Sequence, residues 1–310
     1  MQAYKKRGFW VGLGVFFLVI LSPNPESLSP IGWAVAAVTL LMAIWWATEA
    51  VPVAVTALLP LALFPLLQVT DFKAAALPYA NPNIYLFMGG FILALGIESS
   101  GLHKRLALKM LILVGNSGAK LVGGFMLVSA LISMWVMNTS TTLMLLPIGL
   151  AVCTSVAETI PNFSAKQRKN FETSLLLGIA YAASIGGMST LVGTAPNIIF
   201  VGFMQETYGI EISFIDWMKL GVPIASIMLV ASWYTITKFV YPVNFVASME
   251  TKLQLRNMLT DLGPLGRDEK KVLVIFLFAA GAWMFRTLLD NFVPLSGLTD
   301  AGIAILAALS

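Results

Sequence analysis

The polar residues that could bind an ion or a small anion are concentrated in two stretches of an otherwise apolar chain. The first runs from Ser133 to Thr142 and ends in Met-Asn-Thr-Ser-Thr-Thr at residues 137–142. The hydroxyl residues 139–141 are typical N-caps for a helix that we expect to resume at Leu143. The free N–H groups of such a helix start attract an anion, and the carbonyls that end the preceding helix attract a cation. This stretch therefore predicts a place for both ions.

The second stretch, residues 181–197, contains small residues and helix breakers. A Gly-Gly pair at 186–187 and Gly193 loosen a helix there. Pro196 removes a backbone donor and disfavours helix at the residue before it. We therefore predict a discontinuous helix that faces the first stretch across one site near the middle of the membrane. Two structural alternatives remain open: the hydroxyls bond back to their own helix, or the glycines only allow close helix packing.

The scarcity of charge and of reactive side chains limits the chemistry. Neither stretch carries a carboxylate or a Lys in its middle, so a bound anion would be neutralised by amide dipoles, hydroxyls and a co-bound cation. His103 is the only histidine and Cys153 the only cysteine, so no zinc site, disulfide or Cys/His pair can be assembled. An intramembrane enzyme would need such groups or clustered acids. We expect no enzyme and no organic cofactor.

Composition indicates that both stretches lie inside a membrane protein. Hydrophobic residues make up 58% of the 310 and charged residues 11%, whereas a soluble domain carries about 25% charged residues. Apolar runs of about 20 residues, enough for a helix to cross roughly 30 Å of hydrocarbon, recur along the chain. Such runs favour helices, which satisfy their own backbone groups in lipid. We therefore predict an all-α, polytopic membrane protein. The expected spans are residues 9–21, 31–48, 51–69, 84–99, 172–200, 217–240 and 272–290, with an eighth beginning near 301.

The segments between the fourth and fifth spans are predicted to form an interfacial helix and a re-entrant hairpin and not a single membrane crossing. Residues 101–118 mix basic residues with Leu and Ile at helical spacing, which is typical of an interfacial helix. If residues 120–157 crossed once, the basic loop at 158–170 would face outward, against the positive-inside rule. A re-entrant hairpin that enters and returns on the cytoplasmic side places every basic loop inside. The basic residues outside those loops are Lys73, Lys219 and Arg286.

The same reading of the loops predicts location and partners. The basic residues at 5–7 precede an apolar stretch that lacks a small-residue cleavage site, so we expect an uncleaved first helix with a cytoplasmic N-terminus in the cell inner membrane. Residues 241–271 are expected to form a cytoplasmic linker. The net charge of +4 comes from residues scattered in short loops, which form no patch for nucleic acid. Membrane lipid is the expected surrounding.

Three motifs resemble one known family. They are Trp-Trp-Ala-Thr-Glu-Ala-Val-Pro at residues 45–52 with Thr-Ala-Leu-Leu-Pro at 56–60, the stretch from Ser133 to Thr142, and residues 178–197. Together they resemble the divalent anion/sodium symporter family, which carries dicarboxylates, citrate or sulfate, over nearly the whole chain. The resemblance implies a homodimer whose protomers contain an inverted repeat. It also implies a scaffold domain and a transport domain that moves like an elevator.

The family's site residues can be placed on this sequence. The resemblance implies a sodium site at Ser133, Met137, Asn138 and Gly193. It implies a substrate site at Asn138, Thr139, Thr194 and Ala195. The family's Ser-Asn-Thr signature begins here with Met137, so a sodium contact at that position must come from the backbone carbonyl. The second signature tripeptide, expected in the other repeat, is absent, because the chain corresponds to about the first two thirds of a typical member.

The resemblance also implies a domain organisation. Scaffold helices occupy residues 1–100, and the transport domain combines a re-entrant hairpin with a broken helix. The remaining parts are an interfacial helix, a further helix, a linker and the truncated start of the second repeat. In chain order, the parts after the scaffold are residues 101–118 (interfacial helix), 119–157 (hairpin), 171–200 (broken helix), 217–240 (helix), 241–271 (linker) and 272–310 (second repeat).

Together these features predict sodium-coupled symport of a small divalent anion, with C4-dicarboxylates such as succinate as the expected cargo. Sodium would be co-transported. Two alternatives within the family are sodium-independent anion exchange, favoured by Met137, and sulfate transport. A further alternative, suggested by an end at Ser310 in the middle of an apolar run, is an inactive fragment or one half of a two-chain transporter.

Overall fold

The computed structural model describes residues 3–113, 117–160, 163–246, 249–289 and 297–310. Within these ranges the chain is almost wholly helical and contains no β-strand, which confirms the predicted all-α class. The chain divides into two compact units, the first ending at Asn81 and the second beginning at Pro82.

The first unit is built on two long helices, α1 (Ala3–Leu21) and α2 (Pro30–Thr48). Helix α2 begins where the Ser29 hydroxyl accepts the Gly32 N–H, at 3.1 Å, with Pro30 in the first turn. Both features favour a helix start. The two helices approach closely at Gly12, because a Cβ there would lie 2.6 Å from the Trp45 ring. The core between them is apolar, and two indole N–H groups of α2 donate to α1, Trp33 to the Val19 carbonyl at 2.8 Å and Trp45 to the Phe9 carbonyl at 3.2 Å.

The predicted span at residues 51–69 is not a single helix, and that prediction was wrong. The structure has α3 (Val53–Thr56) and α4 (Leu59–Leu66), followed by α5 (Phe72–Ala76) and a 3-10 turn, Leu77–Ala80. Pro60 lies in the first turn of α4. Proline lacks an N–H and its φ is fixed near a helical value, so in the first turn it favours the start of a new helix.

The second unit contains the remaining helices, which position the candidate site. The predicted spans lie within them with shifted ends: the predicted 172–200 segment, for example, begins earlier, at Ala165. The helices are α6 (Pro82–Ser99), α7 (Leu102–Leu113), α8 (Gly118–Ser133), α9 (Asn138–Thr159), α10 (Ala165–Gly187), α11 (Ala195–Tyr208), α12 (Phe214–Tyr234) with its π-helical extension Thr235–Val240, α13 (Met249–Asp261), α14 (Arg267–Leu289) and α15 (Asp300–Leu309).

Helices α8, α9 and α10 form the centre of the second unit. One residue from each helix, Phe125, Leu145 and Leu175, is completely buried, and all three belong to a single apolar cluster. Helices α8 and α10 touch backbone to backbone, since a Cβ on Gly186 would lie 2.2 Å from the Ala130 carbonyl oxygen. This packing fixes the end of α8 beside the end of α10.

Residues 241–271, predicted as a linker, include α13 and the start of α14. Arg105 of α7 is buried there and forms an ion pair with Glu269, with Nε 2.7 Å from Oε1. The guanidinium also donates to the carbonyls of Leu262, Gly263 and Pro264. Because the buried charge is paired and its donors are satisfied, the turn before α14 is fixed on α7.

Among the described residues, four helical stretches are long and apolar enough to cross a membrane. The chain is therefore a multi-pass membrane protein. Helix α9 is one of them, with 22 residues, so its length alone does not distinguish a crossing from one arm of a re-entrant hairpin. The four stretches are Pro30–Thr48, Phe72–Ser99, Asn138–Thr159 and Phe214–Val240.

Candidate functional site

The break between α8 and α9 lies earlier than predicted. Helix α8 ends at Ser133 and α9 begins at Asn138, not at Leu143. The residue at the N-cap is Met137, which makes no side-chain cap. The predicted N-cap residues, 139–141, instead lie in the first turn of α9. The non-helical backbone is therefore at residues 134–137, and the hydroxyl side chains follow it.

Tertiary contacts hold this apolar turn in place. The Thr190 hydroxyl donates to the Met134 carbonyl. The Trp135 ring stacks on Phe214 and Trp283, with centroids 6.0 and 6.3 Å away, and meets Phe276 edge-on at 5.0 Å. Such aromatic pairs add about 0.5–1.5 kcal/mol each beyond area burial. The turn is thus stabilised by residues far away in the chain.

The second break separates α10, which ends at Gly187, from α11, which begins at Ala195. Asn197 spans it: the amide Nδ2 donates to the Gly187 carbonyl at 2.9 Å and to the Thr190 carbonyl at 2.7 Å. The Gly193 N–H donates to the Thr190 hydroxyl at 3.1 Å. These bonds satisfy backbone groups that the interrupted helix leaves free.

The two breaks meet at a cluster of oxygen atoms. The Ser133 hydroxyl donates to Asn138 Oδ1 at 2.6 Å. A Cβ on Gly187 would lie 2.4 Å from the same Oδ1, and a Cβ on Gly193 would lie 2.5 Å from the Gly187 carbonyl oxygen and 3.0 Å from the Ser133 carbonyl oxygen. Two carbonyl oxygens and one amide oxygen therefore gather around backbone that only glycine permits. Such an arrangement suits a small cation.

The structure brings together three of the four residues predicted for sodium: Ser133, Asn138 and Gly193. The fourth, Met137, has a side chain that is 39% exposed, and its carbonyl accepts the Thr141 N–H at 2.9 Å. A carbonyl has a second lone pair, so this bond leaves one available.

The residues predicted for the substrate lie at the two helix starts. Thr139 is exposed in the first turn of α9, while Thr194 and Ala195 are partly buried at the start of α11. Thr194 is the N-cap of α11 and makes no side-chain cap. No hydrogen bond within the described residues joins Thr139 to Thr194 or Ala195, so the two helix starts present separate polar groups.

The sequence analysis gave Gly187 only a helix-loosening role and gave no role to Thr190 or Asn197, although all three lie in the second stretch. Thr190 joins the two breaks through the Met134 carbonyl, whereas Asn197 spans the second break through the carbonyls of Gly187 and Thr190, and both residues are buried. The spacing Thr-x-x-Gly and the Asn directly after Pro196 were signals for such bonds, because side chains of these types commonly satisfy non-helical backbone. The alternative of close glycine packing holds for Gly186, which contacts α8.

Comparison with known proteins identifies the family. The model described as the sodium:sulfate symporter transmembrane region matches residues 7–309. The chain belongs to the sodium:sulfate symporter family. The resemblance carried by the three sequence motifs is thereby confirmed.

Curated relatives within the sodium:sulfate symporter family carry a functional name. The sodium-dependent dicarboxylate transporter SdcS of Staphylococcus saprophyticus is 38% identical over 304 residues, which cover 96% of this chain and 58% of that relative. The protein of the same name from Staphylococcus aureus strain USA300 is 37% identical over 306 residues, covering 97% of this chain and 58% of the relative. The chain thus spans less than two thirds of the length of these relatives.

One buried hydroxyl in the first turn of α9 allows a test in this family member. Thr141 is 1% exposed, and its Oγ1 has no hydrogen-bond partner among the described residues. A buried unsatisfied hydroxyl costs about 1–3 kcal/mol. Thr141→Val removes it at similar volume and is expected to stabilise the protein by about 1 kcal/mol, read as a higher melting temperature. A lower melting temperature would show that the hydroxyl has a partner.

Proposed function

We propose that the chain carries out sodium-coupled symport of small divalent anions, with C4-dicarboxylates such as succinate as its cargo, and that it is not an enzyme. The observation that carries this proposal is the meeting of the Ser133 and Gly187 carbonyl oxygens and Asn138 Oδ1 beside the free start of α9. The names of the staphylococcal relatives, sodium-dependent dicarboxylate transporters, support it.

Sodium would bind at the oxygen cluster. Its ligands would come from Ser133, Asn138 and the backbone around Gly193, with the Met137 carbonyl as the remaining contact. Carbonyls at unwound helix segments coordinate sodium in secondary transporters, and a neutral set of oxygens leaves the positive charge uncompensated. That charge then favours an anion next to it.

The anion would bind where two helices begin. In α9 the first intrahelical bond runs from the Thr141 N–H to the Met137 carbonyl. The N–H groups of Asn138 and Thr139 come before that bond, so they have no partner four residues earlier within the helix. The start of α11 offers Thr194 and Ala195 in the same way. Free N–H groups and the positive end of the helix dipole together favour a carboxylate.

The transport movement and assembly follow the family resemblance. Residues 119–157 would form a re-entrant hairpin in a transport domain with residues 171–200, moving like an elevator against scaffold helices 1–100 in a homodimer. The positive-inside rule supports entry of the hairpin from the cytoplasm, with the N-terminus cytoplasmic in the cell inner membrane. A second hairpin from the other repeat would complete the substrate site.

Uptake into liposomes tests this function. The purified full-length protein, with the second repeat, is expected to take up radiolabelled succinate faster with an inward sodium gradient than with an equal potassium gradient. Liposomes without protein are the control. Competition by fumarate, citrate and sulfate distinguishes a dicarboxylate carrier from a tricarboxylate or sulfate carrier. Uptake that is equal in sodium and potassium would reject the coupling.

Met137 favours one second candidate function, sodium-independent anion exchange. Its thioether replaces the hydroxyl that begins the family signature, and its carbonyl already accepts one helix bond. Exchange predicts counterflow: vesicles loaded with unlabelled succinate accumulate labelled succinate without sodium. Symport predicts that this accumulation requires sodium, so one assay separates the two mechanisms.

Thr194 provides a test of the anion side. Thr194→Ala is expected to weaken succinate binding by about tenfold and sodium binding less, since a hydrogen bond to a charged partner is worth roughly 1.5 kcal/mol or more. The helix start should survive, because the hydroxyl makes no cap. Thr194→Ser, which keeps the hydroxyl, is the matched control. Equal loss of sodium and succinate binding would contradict the assignment.

A further inference from the structure

Glu98, near the end of α6, contacts the start of α9. Its Oε2 accepts a hydrogen bond from the Ser140 hydroxyl at 2.8 Å. Ser140 is the third residue of α9, and one helical turn takes 3.6 residues. A carboxylate of the protein is therefore bound to the same helical turn whose first N–H groups would hold the substrate anion.

The charge of Glu98 has no counterion among the described residues. None of the ion pairs there includes it. The nearby His103 does not supply one: it is buried, and its Nδ1 lies 2.9 Å from the Ile97 carbonyl oxygen. Burial lowers the pKa of His103, which keeps the ring neutral at physiological pH.

A negative charge at this place has two opposing effects. It stabilises the start of α9 through the helix dipole. It also lowers the attraction of that helix start for another anion, because like charges repel and the repulsion grows with the charge of the ligand. A purely structural role for Glu98 and an electrostatic role thus predict opposite changes in anion binding when the charge is removed.

We propose that Glu98 determines the anion affinity and charge selectivity of the hairpin tip, by repelling the bound dianion so that it can be released. The inference rests on the proposed function, since it assumes that an anion binds at the start of α9. A transport site must bind strongly enough to load and weakly enough to unload. Neutral helix starts and a co-bound cation increase affinity, and Glu98 opposes them.

Charge and shape are separated by a set of substitutions. Glu98→Gln removes the charge and keeps an oxygen that can accept from Ser140. Glu98→Asp keeps the charge and shortens the side chain. Glu158→Gln makes the same charge change at the other end of α9, where Glu158 is exposed, and is the matched control.

Equilibrium binding of succinate and of monomethyl succinate to the purified protein, at saturating sodium, tests the inference. Glu98→Gln is expected to bind succinate about three- to tenfold more tightly and the monoanion only about two- to threefold more tightly, because repulsion scales with ligand charge. Glu98→Asp and Glu158→Gln should match the wild type within about twofold. Glu98→Met, which removes the charge at similar length, gives the same prediction if Glu98→Gln folds poorly.

Unchanged or weaker succinate binding by Glu98→Gln, while the wild type binds normally, would overturn the inference and leave the proposed function standing. An equal gain for the dianion and the monoanion would also overturn it. Absence of sodium-dependent succinate binding in the wild type would instead reject the proposed function, and the inference with it.

Discussion

Asn138→Ala is expected to abolish sodium-dependent succinate binding at ordinary ligand concentrations. Asn138 Oδ1 accepts the Ser133 hydroxyl at 2.6 Å and lies beside the Gly187 backbone, so its loss removes one cation ligand and releases a second. A hydrogen bond or contact with a charged partner is worth about 1.5–3 kcal/mol, which corresponds to an affinity loss of about tenfold to hundredfold per contact. Sodium titration of the purified variant, followed by succinate binding, measures both losses.

Asn170→Ala is the matched control for this substitution. Asn170 lies in α10 and donates to the Pro242 carbonyl at 3.3 Å, away from both helix breaks. It should bind sodium and succinate as the wild type does. Normal binding by Asn138→Ala, with a normal melting temperature, would discredit the placement of sodium at the tip.

Gly193→Ala is expected to lower both the stability of the protein and its affinity for sodium. The added Cβ would lie 2.5 Å from the Gly187 carbonyl oxygen and 3.0 Å from the Ser133 carbonyl oxygen. Both are backbone atoms, so the two breaks must move apart. Overpacking of this kind costs about 1–3 kcal/mol in stability, and displaced ligands should weaken sodium binding by at least about tenfold. Melting temperature and sodium titration give the two effects separately.

Gly281→Ala separates this effect from a general intolerance of larger residues. Gly281 lies in α14, and a Cβ there would meet nothing within 4 Å. Alanine is favoured over glycine in a helix by roughly 0.5–1 kcal/mol, so this variant should be as stable as the wild type or more so. If Gly193→Ala behaved like Gly281→Ala, the two breaks would not be in contact.

The sequence allowed the second break to be located because its signals are local, and it placed the first break within a few residues. Pro196 and the glycines from 186 to 193 weaken a helix wherever they occur, and the structure interrupts the helix between Gly187 and Ala195. The polar run at 137–142 correctly indicated the neighbourhood of the turn between α8 and α9. The residues proposed for sodium at 133, 138 and 193 came from the family resemblance, and the structure places them close together.

The exact turn could not be predicted because its cause is tertiary. Met134, Trp135, Val136 and Met137 include no glycine or proline, and nothing local in them interrupts a helix. Their conformation depends on the Thr190 hydroxyl and on rings contributed by α12 and α14. The hydroxyl residues 139–141 that follow lie in the first turn of α9 and not at its N-cap, and the Thr141 N–H donates the first intrahelical bond, to the Met137 carbonyl.

Prolines in the first unit were given too little weight in the predicted span at 51–69. Its mean composition is that of a membrane helix, but Pro60 interrupts the backbone pattern regardless of hydrophobicity. Helices α9 and α12 continue through Pro147 and Pro223, so a proline in an apolar run does not by itself show where a helix is interrupted.

In the proposed mechanism, one pair of helix breaks binds a cation and an anion side by side. The most direct measurement is the succinate dissociation constant as a function of sodium concentration, with the reciprocal sodium titration at several succinate concentrations. Opposite unit charges about 7 Å apart attract by roughly 2 kcal/mol at an effective dielectric constant of about 20. Each ligand should therefore raise the affinity for the other by the same factor, about tenfold or more. A succinate dissociation constant that stays unchanged from zero to saturating sodium would contradict the account.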